Sequence, residues 1–336
     1  MNNTLIPREH VYSLNRKFVN IYSSDRDVLK WPKNNNFEIT LPQTLTDVQS
    51  IFLSSVTLPI VFYTFSDQNK NTKMKFEVSG NIYSITIDEG FYEGPNLAIE
   101  LENKMNDVTN QTGSIKFLVK FNSVNNKIYI LHTHGVGFSL MFDEESSYDD
   151  VCGLNNYDVF NRCSDWGLGY NLGFDKKRYQ SVYHGNFKFG YTNDLSGVKA
   201  HVVTASYPIV MFKNKNIYME LDKYNTIDEL SCLTSRTDNL YNNNYSGKVN
   251  AFFAKLSINT APYNEIILDK NNTLDNISIY NPPIEKISKL KFKFRYHDGT
   301  LVDFKNHEFS FVIGFNSLQN EIPRNYNIRL PATLNV

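Results

Sequence analysis

The stretch "SKLKFKFRYHDGTLVDFKNHEFSFVIGF", residues 288–315, decides the fold. Leu290, Phe292, Phe294 and Tyr296 alternate with Lys289, Lys291, Lys293, Arg295 and His297. A side-chain period of two belongs to a strand. One apolar row beside one charged row marks an antiparallel strand with a dry face and a wet face. Asp298-Gly299 then supplies a pair that tight turns favour. Beyond it Thr300, Val302 and Phe304 alternate with Leu301, Asp303 and Lys305. Phe309, Phe311, Ile313 and Phe315 share a face of a last strand. The stretch reads as three strands and two turns. It also gathers His297, Asp298, Asp303, His307 and Glu308, residue types that build metal and acid–base sites. The strand-and-turn reading spreads them over turns and wet faces instead of bringing them together.

The same period recurs along the chain. Tyr83, Ile85 and Ile87 share a face, as do Ile115, Phe117, Val119 and Phe121, and Ile217, Met219 and Leu221. Turn-forming stretches such as "NSVNNK" (122–127) and "KNKN" (213–216) separate these runs. Many short strands with turn punctuation predict a mainly β chain, an antiparallel β-sandwich of jelly-roll type. One segment breaks the pattern. "EGPNLAIELENKMNDV" spaces Leu97, Leu101, Met105 and Val108 by four, four and three, with Pro95 in a first turn. That predicts one short helix at about 95–108, covering an end or face of a sheet. The expected organisation is an N-terminal arm (1–16), a first sandwich with the helix (17–178), a second sandwich (186–316) and a C-terminal tail (317–336).

Composition narrows the function. The chain has 336 residues, a formal net charge of −1, 24 Phe and 21 Tyr against 2 Trp. Phe and Tyr suit pleated, half-buried surfaces. A nucleic-acid groove needs clustered Lys and Arg, and here they are scattered, so no direct nucleic-acid contact is expected. Cys152, Cys163 and Cys232 are an odd number without CxxC spacing, which suits free thiols in a reducing compartment. The first twenty residues lack an apolar signal core, and "IFLSSVTLPIVFYTF" (51–65) is too short to span a bilayer, so the reading is a soluble, non-secreted protein.

Four constellations contain residue types that could carry chemistry. His132 and His134 sit two apart, so in a strand their imidazoles project from one face about 7 Å apart and could share a metal with ligands from elsewhere. Ile128 and Ile130 are on that same face, so the pair equally ends a buried stripe. The acidic run at 143–150 lacks the calcium-loop pattern and reads as a solvated loop. "WGLGYNLGF" (166–174) is not a dinucleotide fingerprint and reads as a turn-rich connection pinned by Trp166, Tyr170 and Phe174. Cys152 and Cys163 have no His nearby in sequence and read as structural thiols. Nothing matches a P-loop, a nucleophile elbow or an H-E-x-x-H zinc motif, and no cofactor is expected.

The order of several motifs resembles minor capsid and related virion structural proteins of nucleocytoplasmic large DNA viruses, those of giant algal and amoebal viruses in particular. The resembling residues are Ser24, Asp25, Arg26 and Asp27, then Trp31-Pro32, Phe37, Leu41-Pro42 and Leu58-Pro59. "FYTFSDQNKNT" (62–72), "ITIDEGFYEGPNLAIELENKMN" (85–106), "WGLGYNLGF" and "DGTLVDFKNHEFSFVIGF" (298–315) follow. The resemblance covers most of the chain and is weakest at about 225–250. It implies a non-enzymatic shell component with β-sandwich folds, assembled in the host cytoplasm into the virion. Its implied partners are the major capsid protein and other minor capsid proteins, close to the internal viral membrane. Interface roles are expected for Trp31, Trp166, Tyr170, Phe174 and the two tails. Two alternatives stand beside this reading. One is a vertex (penton) or fibre-type glycan-binding virion protein using the loop "NLYNNNYSG" (239–247). The other is a metal-dependent jelly-roll enzyme using His132 and His134.

Overall fold

The computed structural model describes residues 12–110, 116–133, 135–143, 166–188, 197–211, 215–230, 249–269, 276–297 and 299–320. The chain is mainly β, its sheets antiparallel. It divides into two units, Met1–Val61 with Asn214–Val336, and Phe62–Lys213. The second is therefore inserted into the first, in place of the consecutive sandwiches 17–178 and 186–316 expected from the sequence.

Unit 1 is organised by β2 (Asn36–Pro59), a strand of 24 residues. Its partners come from the far end of the chain. β16 (Ser278–Arg295) and β17 (Ser310–Asn320) both pair with it antiparallel. β1 (Tyr12–Tyr22) adds outside β17. β11 (Asn216–Leu221) and β14 (Ala254–Ser257) extend the other side, and β15 (Glu265–Asp269) pairs with the end of β2, giving seven strands. A straight strand of this length would run roughly 80 Å at ~3.3 Å per residue. The ladder breaks instead between Ile279 and Ile284 and between Ile287 and Lys289. Pro282 and Pro283, at the first break, have no N–H to give a ladder. β12 (Ile227–Leu230) and β13 (Val249–Phe252) form a separate pair.

One face of the long sheet is buried. Leu290, Phe292, Phe294 and Tyr296 are all buried, as the alternation predicts, and so are Ile51, Leu53, Val56, Phe309, Phe311, Ile313 and Phe315. Burying a Phe or Ile stabilises by about 1.5–3 kcal/mol relative to leaving it exposed, so this row dominates the favourable side of unit 1. The opposite face carries one cross-strand device. Gly314 pairs with Phe18 on one side and Phe52 on the other. With no side chain between them, the two rings meet edge to face at 6.0 Å and Phe52 is buried.

Unit 2 packs two four-stranded sheets against each other, a sandwich. One sheet runs β4 (Asn81–Thr86), β3 (Lys73–Val78), β7 (Phe138–Met141), β8 (Arg178–Gln180). The other runs β5 (Phe117–Asn122), β6 (Lys127–Thr133), β10 (Val198–Thr204), β9 (Val182–Phe187). Met74, Phe76 and Ile85 from the first share a core with Phe117, Ile128 and Ile130 from the second. The expected helix is α1 (Gly94–Thr109). It has Pro95 in its first turn, a left-handed Asn110 at its end, and Leu97, Leu101 and Met105 buried. Its polar side chains do a second job. Glu102 accepts from Val119 N–H at 2.9 Å, and Asn106 bonds both the N–H and the C=O of Phe117. Those are backbone groups of a sheet-end strand, so α1 covers the edge of β5.

Other differences from the sequence reading have local causes. The expected middle strand at 300–304 is a single bridge, Leu301 to Arg295. Val302 and Phe304 are buried as the alternation says. However, Asn35 Nδ2 takes the Val302 carbonyl, Asp303 folds back on Lys305 N–H, and Lys305 and Asn306 turn to positive φ. Burial alternates there on two backbone hydrogen bonds at the end of β16, Tyr296 N–H to the Thr300 carbonyl at 2.8 Å and Val302 N–H to the Phe294 carbonyl at 3.1 Å, which stop short of a full strand. The turn before it is present: Gly299 has φ +84° and donates to the Tyr296 carbonyl. Asp298 lies outside the described residues. Of the expected arm 1–16, residues 12–16 belong to β1, and of the tail, Ser317–Asn320 belong to β17. A Cβ on Gly314 would stand 2.2 Å from the Phe52 ring. Gly314→Val is therefore expected to cost about 1–3 kcal/mol by overpacking, read as a lower urea midpoint with unchanged m-value. A change under ~0.5 kcal/mol, the range of an ordinary surface substitution, would contradict this packing.

Candidate functional site

The residues singled out from sequence go to separate places. His132 is fully buried, with its ring against Phe117 at 4.7 Å and Phe138 at 6.5 Å. It continues the buried row of Ile128 and Ile130. His134, Cys152, Cys163, Cys232, residues 144–150 of the acidic run and the loop 239–247 lie outside the described residues. Among the described residues no three His, Cys, Asp or Glu are grouped to hold a metal ion.

"WGLGYNLGF" forms a short helix, α2 (Leu168–Asn171), that plugs unit 2. Trp166, Leu168, Leu172 and Phe174 are buried in the unit's own core, with Tyr170 packed against it. Gly173 has φ +84°, and a Cβ there would stand 2.1 Å from the Tyr207 carbonyl oxygen. Buried Asn171 accepts from Asn71 Nδ2 at 3.1 Å and donates to the Val210 carbonyl at 2.7 Å. Enclosed side chains offer a partner no surface, so the interface roles expected for Trp166 and Phe174 give way to core packing. Trp31 stays half-buried at the surface of unit 1, with Lys30 and Lys291 over its ring at 5.4 and 5.5 Å.

What the structure does bring together is the first resembling motif and the last. Arg26, buried behind β1, gives two hydrogen bonds to the Glu308 carboxylate at 2.9 and 2.8 Å. It also donates to the carbonyls of Ser23 and Trp31 at 2.6 and 3.0 Å. Ser23 Oγ donates to Glu308 and accepts the Phe309 N–H at 2.8 Å, while Ser23 N–H donates to the Phe309 carbonyl. Asn34 Nδ2 reaches the His307 carbonyl at 2.7 Å. Burial opposes the Glu308 charge, but the hydrogen bonds of Ser23 and Arg26 and the Arg26 charge outweigh it and hold its carboxyl below the ordinary range. A carboxylate held this way is a poor proton acceptor. The group is a joint.

The second cluster is the one alternation hides. Arg295 stands in the charged row of β16 yet is 1% exposed. Its Nε donates to Glu220 of β11, and its Nη2 donates to Glu229 of β12 at 2.6 Å. Its Nη1 donates to the Tyr296 carbonyl at 3.0 Å, and Tyr218 lies under the guanidinium at 5.3 Å. His297 Nδ1 meets the other Glu229 oxygen, and Lys293 pairs with Glu220 at 3.2 Å. Burial works against the Arg295 charge, but bonds and charges of both glutamates more than offset it and raise its pKa. The cluster ties the separate β12–β13 pair to β16. The partners are 75 and 66 residues away in sequence, so spacing does not reveal them. The one local hint is that the row of lysines ends in Arg, whose planar fork suits two buried carboxylates.

Of the five polar side chains in the opening stretch, the four described ones thus have separate partners. His297 meets Glu229, Asp303 meets Lys305, Glu308 meets Arg26, and His307 meets a backbone carbonyl. Two outcomes follow from their geometry. Arg295→Ala removes the buried cation shared by two carboxylates, leaving Glu220 its pair with Lys293 and Glu229 its contact with His297, and should cost about 3–5 kcal/mol in chemical denaturation, with Arg295→Lys losing less. A loss under ~1 kcal/mol would contradict a buried pair. For Glu308, whose folded pKa is depressed, the stabilisation is present above the unfolded value and lost as pH falls through the folded one. Wild type should therefore lose stability on acidification below about pH 4.5 more steeply than Glu308→Gln, measured by denaturant midpoints across pH.

No protein-family model matches the sequence, and no curated protein does. Among solved structures, the mavirus penton protein aligns over 90% of this chain and 99% of its own, at 12% identity and a TM-score of 0.45. A chain from the structure of the Sputnik virophage aligns over 90% and 98%, at 10% identity and a TM-score of 0.38. At that identity and below a TM-score of 0.5, neither assigns this chain a family or an activity.

Proposed function

We propose that this chain is a non-enzymatic structural component of a large icosahedral DNA-virus capsid, a minor capsid protein that braces the major capsid protein lattice. The observation that carries the reading is the fate of the resembling motifs. Arg26 and Glu308, one in the first motif and one in the last, are spent on a joint between the start and end of the chain. "WGLGYNLGF" is spent on filling a core. Side chains used this way make a stiff block, which a shell protein needs. On this reading the partners are the major capsid protein and other minor capsid proteins, and the site of action is the virion.

The test is composition of purified particles. The chain should be present at a fixed ratio to the major capsid protein across preparations, and should resist removal by salt and mild detergent. Density restricted to the vertices in a particle reconstruction would favour the penton reading instead. Absence from particles, with the chain confined to infected-cell lysate, would overturn both.

A further inference from the structure

Among the described residues β1 is the longest sheet-end strand, and no strand pairs with its outer edge. Ser23, just past β1, donates to Phe309 across the β17 side. By the alternation of an antiparallel ladder, the N–H and C=O of Leu14, Arg16, Phe18 and Asn20 then point away from β17. Tyr22 is next in that series, and its N–H is taken by Asp25 Oδ2 at 3.1 Å. Among the described residues no strand lies beyond β1. Proteins blunt such edges with charge, proline, bulges or cover. α1 does this for β5 in unit 2. β1 has neither bulge nor proline: its register against β17 is unbroken over eleven residues, and no proline occurs in it.

The side chains along the edge give the partner's chemistry. Leu14, Phe18 and Tyr22 share the outer face at 60, 52 and 50% exposure. Between them stands Arg16, and Lys17 follows; no acid occurs from Tyr12 to Tyr22. Both cations put positive charge beside the edge without capping its outward backbone groups. Arg16 leans inward over the sheet, donating to Asn316 at 2.9 Å and lying 5.5 Å from the Phe52 ring, and Lys17 reaches Gln43 on β2. A second copy is a poor occupant. Two β1 strands paired antiparallel about their midpoint would set Lys17 against Lys17, with Arg16 close by, and like charges opposite one another destabilise a sheet.

We propose that the outer edge of β1 accepts an extended segment of another protein, with apolar residues at alternate positions and a carboxylate opposite Arg16. The incoming strand bonds the outward groups of Leu14, Arg16, Phe18 and Asn20, and its apolar row lies on Leu14, Phe18 and Tyr22. Affinity comes from the backbone and selectivity from the charge and the apolar row. The proposal does not require the shell reading, because it rests only on the edge and its side chains.

The test uses the full chain and a capped peptide of alternating Thr and Val with Glu in place of the central Val. Two control peptides carry Lys at that position or N-methylation on alternate amides. Hydrogen exchange should show protection at Leu14, Arg16, Phe18 and Asn20 with the Glu peptide and none with the N-methylated one. The Glu peptide should bind about fivefold tighter than the Lys peptide. Arg16→Glu combined with Lys17→Glu should reverse that order. Asn20→Pro removes an outward N–H without touching the β17 ladder, and should abolish the protection even if the double variant fails to fold. Protection elsewhere, equal binding of the N-methylated peptide, or a charge preference unmoved by reversal would overturn the proposal. So would a dimer held through β1.

Discussion

Everything in unit 1 depends on β2 finding strands that lie more than two hundred residues further along the chain. Phe37 meets Phe292, and Ile51 meets Phe315, across ladders that close only when both chain ends are present. Such pairing costs loop-closure entropy before any contact repays it. What repays it is the row of buried Phe, Ile and Leu on one face of the sheet, and the hydrogen bonds of a strand bonded on both sides. The insertion of unit 2 between Val61 and Asn214 follows from the same constraint: the chain leaves the sheet after β2, folds a separate sandwich with its own core, and returns at β11.

The two charge clusters act where the ladder alone is insufficient. Past Tyr22 the chain leaves β1, and before Ser310 it has not yet entered β17. Arg26, Ser23 and Glu308 hold these two irregular segments together by short, charge-assisted bonds. The Arg295 cluster does the same for β12–β13, which has no ladder to the main sheet among the described residues. Both clusters gain geometry at a desolvation cost, so their effect is to fix where irregular segments sit more than to raise total stability.

How much of this was legible in the sequence follows from range. Alternation is a local signal, and it placed Leu290, Phe292, Phe294, Ile217, Met219 and Leu221 on buried faces correctly. The helix was legible for the same reason: Leu97, Leu101 and Met105 recur at helical spacing behind Pro95. Pairing is not local. Nothing in "NFEITLPQTLTDVQSIF" names residues 278–317 as its partners, so the nested division of the chain was missed. Arg295 was misread because alternation says which side of a strand a residue faces, not what covers that side. The run at 300–304 was misread for a related reason, since a bonded ladder and a buried turn can bury the same alternate residues. The aromatic residues of "WGLGYNLGF" were recognised as pinning a turn-rich connection, but their burial in the unit's own core became visible only with the sandwich built around them.

Motif residues near both ends of the chain, Arg26 and Glu308, form one structural joint. A double-mutant cycle on Arg26→Ala and Glu308→Ala, read by denaturant unfolding, tests it most directly. Residues in one bonded network should couple by about 1 kcal/mol or more, so the double variant should be destabilised by clearly less than the sum of the singles. Additivity within ~0.3–0.5 kcal/mol would mean that the two side chains act independently, and would contradict the account.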